Sequence, residues 1–315
     1  MTAPRGSTSS TFSPHGVARE GIELMEEMRS FRKRALAAVA AAIFAFMIAL
    51  LPQGIWSALI TLNLRTSPTI PWAEVVMAGL LILYWQYLGG RFPPRRTSEA
   101  RRHHLRASRV PLPMFAWAVL AGALAVVALT GVWIILAQII RMPGNVLPPM
   151  GNLPWPIVAL AVGMGALISP VCEQAGIWGY GQTMLRREFT AATAIVLSAL
   201  IFAVAPHPPF HVPLMPKIAF FFLTGVTFGV LADLTNSILP GLTVHILGLL
   251  SFFTLIWPND PGRRLLRDGG ADIWFYAHVA QVVVFAPLAI VVLSGLARNS
   301  LGMAGRTDID RRSKS

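Results

Sequence analysis

KIAFFFLTGVTFGVLADLTNSILPGLTVHILGLLSFFTLIW, residues 217–257, decides the fold. Its charged side chains are Lys217 and Asp233. A helix needs about 20 apolar residues to cross a hydrocarbon core, so this stretch holds two spans back to back, near 217–234 and 238–257. Further apolar runs lie upstream, near 35–62, 71–89, 112–140, 155–180 and 190–206, and another follows near 272–296. The fifth and sixth spans are short, and Pro206, Pro208, Pro209, Pro213 and Pro216 break the chain between them. Trp72, Trp155, Trp257 and Trp274 stand near span ends, where aromatic belts form. The reading is an all-α fold, a polytopic integral membrane bundle of about eight transmembrane helices. Bulk composition agrees, because 13% of residues are charged and the mean hydropathy is +0.61. A soluble domain carries about a quarter charged residues, so a large soluble domain is excluded. The single cysteine, Cys172, excludes an internal disulfide and a cysteine metal cluster.

The net charge of +12 reflects membrane topology and not nucleic-acid binding, because the basic residues sit in loops and tails between apolar runs. With the N-terminus inside, the inside segments hold 20 Lys or Arg and the outside segments 6. That split supports eight spans with both termini cytoplasmic. Arginine outnumbers lysine 23 to 3, which points to a GC-rich bacterial genome and hence a bacterial inner membrane. Residues 1–34 form a cytoplasmic lead, disordered to about residue 16. From Val17 to Arg34, the spacing of Ile22, Met25, Met28 and Phe31 suggests a short helix, either interfacial or solvated. No cleavable signal peptide is expected, since the first apolar run begins near Ala35 behind a polar lead. Residues 35–297 form the transmembrane domain, and 298–315 a polar, basic tail. The basic cluster from Arg91 to Arg109 acts as a topology signal within reach of anionic lipid.

Ionisable residues within apolar spans are costly, which makes them functional candidates. Seven stand out: Glu74, Glu173, His207, His211, Asp233, His245 and His278. Five fall between residues 173 and 245, a stretch rich in Gly and Pro. Glu173 ends an apolar span, and a desolvated carboxylate suits a general base acting near neutral pH; the alternative is a structural carboxylate paired to a basic group or a helix N-terminus. His207 and His211 follow a proline-broken span end and face either a cavity or a wet interfacial loop. Gly225 and Gly229 lie four apart on one helix face, the pattern of close helix packing. His245 sits about one and a half turns into its span. One Glu and two His from different helices have the make-up of a water-activating or metal site.

The order of these features resembles the CPBP intramembrane endopeptidases, the family of CAAX prenyl endopeptidases and of bacteriocin-processing and immunity proteins. The resemblance runs over about 171–249, within a core at about 155–257. It is most specific from Phe222 to His245, through Thr235-x-Ser237-x-Leu239-Pro240-Gly241-x-x-x-His245. The first motif of that family is Glu-Glu, three residues, Arg. Glu173 matches, while Gln174 and Trp178 replace the second Glu and the Arg. The second is Phe, three residues, His; from Phe202 it lands on Pro206, with His207 one residue later and His211 as a substitute. The third is His, three residues, Asn or Asp; His245 matches and Leu249 does not. The resemblance implies Glu173 as general base, His207 or His211 as its partner or metal ligand, and His245 as ligand or oxyanion donor. Zinc held by Glu173, His207 and His245 is a possible cofactor. Leu249 cannot donate a hydrogen bond, and losing one oxyanion donor costs about 10²–10³ in rate. Asn236, Thr243 and Ser251 are the nearest polar substitutes in sequence.

Three classes of function follow. The first is an intramembrane peptidase acting on a peptide or membrane-protein substrate. The second is a catalytically silent relative that binds a partner in the same cavity, suggested by Gln174, Trp178 and Leu249. The third, a transporter or channel, draws on Glu74, Asp233 and His278, and the absence of an internal repeat weakens it. Spans one to three and eight carry no motif and are assigned to packing and cavity walls.

Overall fold

The structure is a computed structural model that describes residues 14–140, 153–206, 214–269 and 271–312. Among the described residues it is helical throughout and contains no strand. Six helices are long and apolar enough to cross a membrane, within Met25–Thr66, Leu112–Ile139, Trp155–Leu185, Met215–Thr235, Leu239–Asn259 and Ile273–Arg298. Two shorter apolar helices, Trp72–Leu88 and Ala191–Val204, lie at the second and fifth expected spans. At 1.5 Å per residue, the 14 residues of the latter reach about 21 Å, short of a 30 Å core. The protein is a multi-pass membrane helix bundle.

In chain order the helices are α1 (Pro14–Thr66), α2 (Trp72–Leu88), α3 (Ser98–Leu105), α4 (Leu112–Ile139), α5 (Trp155–Glu173), α6 (Gln182–Leu185), α7 (Ala191–Val204), α8 (Leu214–Thr235), α9 (Leu239–Ser251) and α10 (Ile273–Arg312). A π-helical stretch, Gln174–Gly181, joins α5 to α6 in one continuous span. At both ends of the transmembrane domain the helix runs on past the apolar residues. The charged stretch before Ala35 is not a separate helix, because α1 runs unbroken from Pro14. Residues 22–51 contain no Gly or Pro, and Glu, Arg, Lys, Ala and Leu all favour helix. Likewise α10 carries the last span on through the basic tail to Arg312.

Lipid tails are as apolar as leucine, so close backbone approach rather than hydrophobicity holds such a bundle together. Ala41, Ala45 and Ala49 recur every four residues on α1 and are at most 1% exposed. Ala45 and Ala49 meet Gly176 on the π-helical stretch, where an added Cβ would come within 2.6 Å of the Ala45 carbonyl oxygen, and Ala41 lies beside Gly181. Gly225 of α8 faces α7, and a Cβ there would lie 2.8 Å from the Ala199 Cα. Gly229 of the same face meets Ile195, Gln182 and Trp178. The glycine pair is therefore a packing device, as its spacing predicts. The central cluster gathers Trp178, Phe202, Phe228, Leu231, Ile238 and Val244, while α10 lies along α4.

Three connections meet on one face of the bundle. Ile238 donates its N–H to the Arg106 carbonyl at 3.0 Å. Ser237 Oγ donates to the Ser108 carbonyl at 2.8 Å, and Ser108 Oγ to the Asn236 carbonyl at 3.0 Å. Asn236 adopts φ 46°, the left-handed region that asparagine tolerates best after glycine, and so turns α8 tightly into α9. Arg186, just beyond α6, pairs with Asp233 at 3.2 Å. Loops after the second, fourth and sixth spans thus share a side, as eight alternating passes require.

Candidate active site

Glu173 is the last residue of α5 before the helix widens into its π-helical stretch, a distortion that recurs at functional sites. Pro170 lies one turn earlier and removes one N–H from the hydrogen-bond ladder. His245 sits on α9, six residues past its start, behind Pro240 in the first turn. The two side chains, 72 residues apart in sequence, meet inside the bundle. His245 Nε2 lies 3.7 Å from Glu173 Oε2, and both residues are buried, at 7% and 5% exposure.

The two carboxylate oxygens have different surroundings. Oε1 accepts from Ser169 Oγ at 2.6 Å and from Gln53 Nε2 at 3.4 Å. Ser169 stands one turn before Glu173 on the same face of α5, while Gln53 reaches in from α1 and also donates to the Ala49 carbonyl at 3.0 Å. Oε2 faces the histidine. The imidazole is stacked on Phe228, with centroids 4.6 Å apart and planes at 25°, and Trp178 stands edge-on at 6.4 Å. Both carboxylate and imidazole line a cavity of about 160 Å³. A water needs roughly 10–15 Å³ of such space, so there is room for more than one. The remaining wall is largely aromatic, from Trp133, Phe202, Phe220, Phe221, Phe252 and Phe253.

Of the residues that depart from the family motifs, Trp178 has a hydrogen-bond partner, Gln174 is packed in the interior and Leu249 has a place in the wall. Trp178, fully buried, donates Nε1–H to the Gly225 carbonyl at 3.1 Å. One turn on, Gln182 Nε2 donates to the Gly229 carbonyl at 3.0 Å, so the α5–α6 span is stitched to the glycine face of α8. Gln174 is buried against Gly241, where a Cβ would lie 3.0 Å from its Oε1. Leu249 lines the cavity itself.

The other expected candidates are distributed as follows. His207 and His211 lie outside the described residues. Glu74 is buried in the first turn of α2 and Asp233 pairs with Arg186; neither lines the cavity. His278 hydrogen-bonds Gln281 at 2.9 Å, which in turn donates to the Val127 carbonyl. Of the polar substitutes, Thr243 and Ser251 donate to backbone carbonyls of their own helix, Leu239 and Leu247, and Asn236 stands in the α8–α9 turn. The hydroxyls that do line the cavity are Thr130, Ser169 and Thr224. Sequence reasoning missed Gln53 and Ser169. The i to i+4 spacing of Ser169 and Glu173 could have signalled the second; nothing in α1 marks the first.

A metal can be tested against these donors. No group of three His, Cys, Asp or Glu gathers among the described residues. The 3.7 Å between Oε2 and Nε2 is slightly wider than the roughly 3.3–3.6 Å that tetrahedral zinc with bonds of about 2.0–2.2 Å sets between two donors, so a small closure would let both ligate one ion. Among the described residues two donors are present, and the third ligand that the resemblance implies, His207, lies outside them.

These features define a class, a membrane-embedded helix bundle that presents a buried Glu/His pair to a half-open, aromatic-walled cavity. Residues 154–248, under a third of the chain, match the family model described as Rce1-like, type II CAAX prenyl endopeptidase, so this segment is similar to the core of that family. The match contains both Glu173 and His245. No curated protein and no solved structure matches the chain.

Proposed function

We propose that the protein is an intramembrane endopeptidase of the CAAX-protease type that cleaves a peptide or membrane-protein substrate with a water activated by Glu173. The observation that carries this reading is the division of labour at the carboxylate. Ser169 and Gln53 anchor Oε1, while Oε2 faces His245 across 3.7 Å at the cavity wall. A water seated beside that gap lies within hydrogen-bonding distance, about 2.8 Å, of both groups. Glu173 Oε2 takes the proton as the water attacks the scissile carbonyl. His245, held flat on Phe228, orients the water or donates to the developing oxyanion. Glu173 then passes its proton to the leaving amine. The aromatic wall excludes bulk water and accepts an apolar side chain of the substrate. His207 or His211 completes the set, as a second histidine or as third ligand beside Glu173 and His245 if zinc is bound. Zinc would supply a more acidic water and polarise the carbonyl.

The test compares membranes from cells expressing wild type and Glu173→Gln, with new protein N-termini mapped by mass spectrometry. Cleavage sites are expected in the wild type alone, at equal levels of folded protein. Identical sets of termini would sink the peptidase reading.

Leu249 favours a second reading. An aliphatic side chain stands in the cavity where the family motif has an oxyanion donor. A silent relative would hold a peptide in this cavity without cutting it, and its binding would be indifferent to Glu173→Gln. Peptide captured by purified protein and recovered intact from both forms is the result that favours this alternative.

A further inference from the structure

On the face where the three connections meet lies a second pocket, of about 970 Å³. Arg91, Arg102, Arg106, Arg186 and Arg187 line it, and Asp233 is the acidic residue among the lining. Asp233 is engaged by Arg186, and Arg106 reaches inward to donate Nη2–H to the Ala232 carbonyl at 2.6 Å. Burial and the neighbouring Arg186 lower the pKa of Arg106, against the opposing pull of Asp233. Arg102 and Arg187 are exposed at the mouth. One carboxylate cannot neutralise five guanidinium groups drawn to one concavity, and their repulsion is relieved by an anion. The forked geometry of arginine matches phosphate oxygens in particular.

Location narrows the source of the phosphate. The pocket opens where α2, α6 and α8 end and α4 and α9 begin, at one end of the apolar helices, where the headgroups of a surrounding bilayer would lie. Trp85 and Leu105, which pack on the central apolar cluster, give it an apolar side. A headgroup held here would place its phosphate among the arginines and its glycerol against that apolar side.

We infer that this pocket binds the phosphate of an anionic phospholipid headgroup, with Arg102 and Arg187 at its mouth and Arg106 at its floor. The inference rests on the membrane fold and this cluster, and is independent of the peptidase reading. It is tested with the full chain purified in detergent, incubated with equal phosphatidylglycerol and phosphatidylcholine, and weighed by native mass spectrometry. Wild type should retain phosphatidylglycerol in preference by roughly tenfold or more. The Arg102→Gln/Arg187→Gln double variant should bring the ratio near one, and Arg109→Gln, outside the pocket on the same basic segment, should leave it unchanged. Asp233→Asn, which removes the counter-charge, should raise retention. Equal retention of the two lipids by wild type would overturn the proposal. So would an unchanged ratio in a double variant that melts like wild type. Glycerol 3-phosphate, added as competitor, separates the sources. Displacement at concentrations comparable to the lipid would assign the pocket to a soluble phosphate ester and overturn the lipid assignment.

Discussion

At the scale of single residues, the site depends on how tightly Glu173 is oriented. Ser169 donates the shorter of the two bonds to Oε1. A hydrogen bond to a charged group contributes about 1.5–3 kcal/mol, so Ser169→Ala should slow cleavage by roughly tenfold or more at unchanged expression. The check is the turnover of a peptide identified by terminus mapping, and unchanged turnover would mean that Oε1 needs no anchor. Trp178 makes a different point. Its indole bonds the Gly225 carbonyl and its ring packs on Phe202 and Phe228. Trp178→Phe keeps most of the packing and loses the bond, so a loss of about 1 kcal/mol in stability is expected, read from unfolding in mixed micelles. From sequence, the tryptophan reads as a motif position emptied of its chemistry. Its hydrogen bond joins positions 47 apart, which no local pattern reveals.

At the scale of elements, the approach of α1 to the π-helical stretch governs both packing and chemistry. A side chain at Gly176 meets backbone, the Ala45 carbonyl at 2.6 Å and the Ala49 N–H at 2.9 Å, so α1 itself has to move. Overpacking of this kind costs about 1–3 kcal/mol. Gln53 lies one turn beyond Ala49, so Gly176→Ala should also draw it away from Glu173 and lower activity beyond the effect on stability. Measuring turnover per folded molecule separates the two; a purely structural role would leave that quantity unchanged. Spans were legible because each is a run of apolar residues, a signal local in sequence. The spacing over 17–34 predicts a helix, and α1 is helical there; that it runs on without a break into the first span is not written in the charge pattern, because those residues are good helix formers in either setting. The meeting of Glu173 with His245 was legible only through motif order, since distance between helices is not written in hydropathy. Gln53 was not legible at all, being one glutamine on a span without a motif.

At the scale of the whole molecule, alternation is the property to test, because it fixes which loops share a side and therefore where the arginine pocket opens. The chain offers a clean background, as its one cysteine, Cys172, is fully buried. Arg109→Cys and Arg187→Cys lie in loops that meet on one face, whereas Thr69→Cys and Asp268→Cys lie in loops after the first and seventh spans. All four positions are exposed. A membrane-impermeant maleimide applied to intact cells should label the second pair, and the first pair only after permeabilisation, if the 20-to-6 basic asymmetry orients the bundle. Labelling of both pairs from one side would mean that neither short helix, α2 nor α7, crosses, whereas failure of one alone would place Thr69 and Asp268 on opposite sides. Complete inversion would preserve the pairing and reverse the orientation alone. The arginine pocket would then face the outer leaflet, and its lipid partner would have to be sought there.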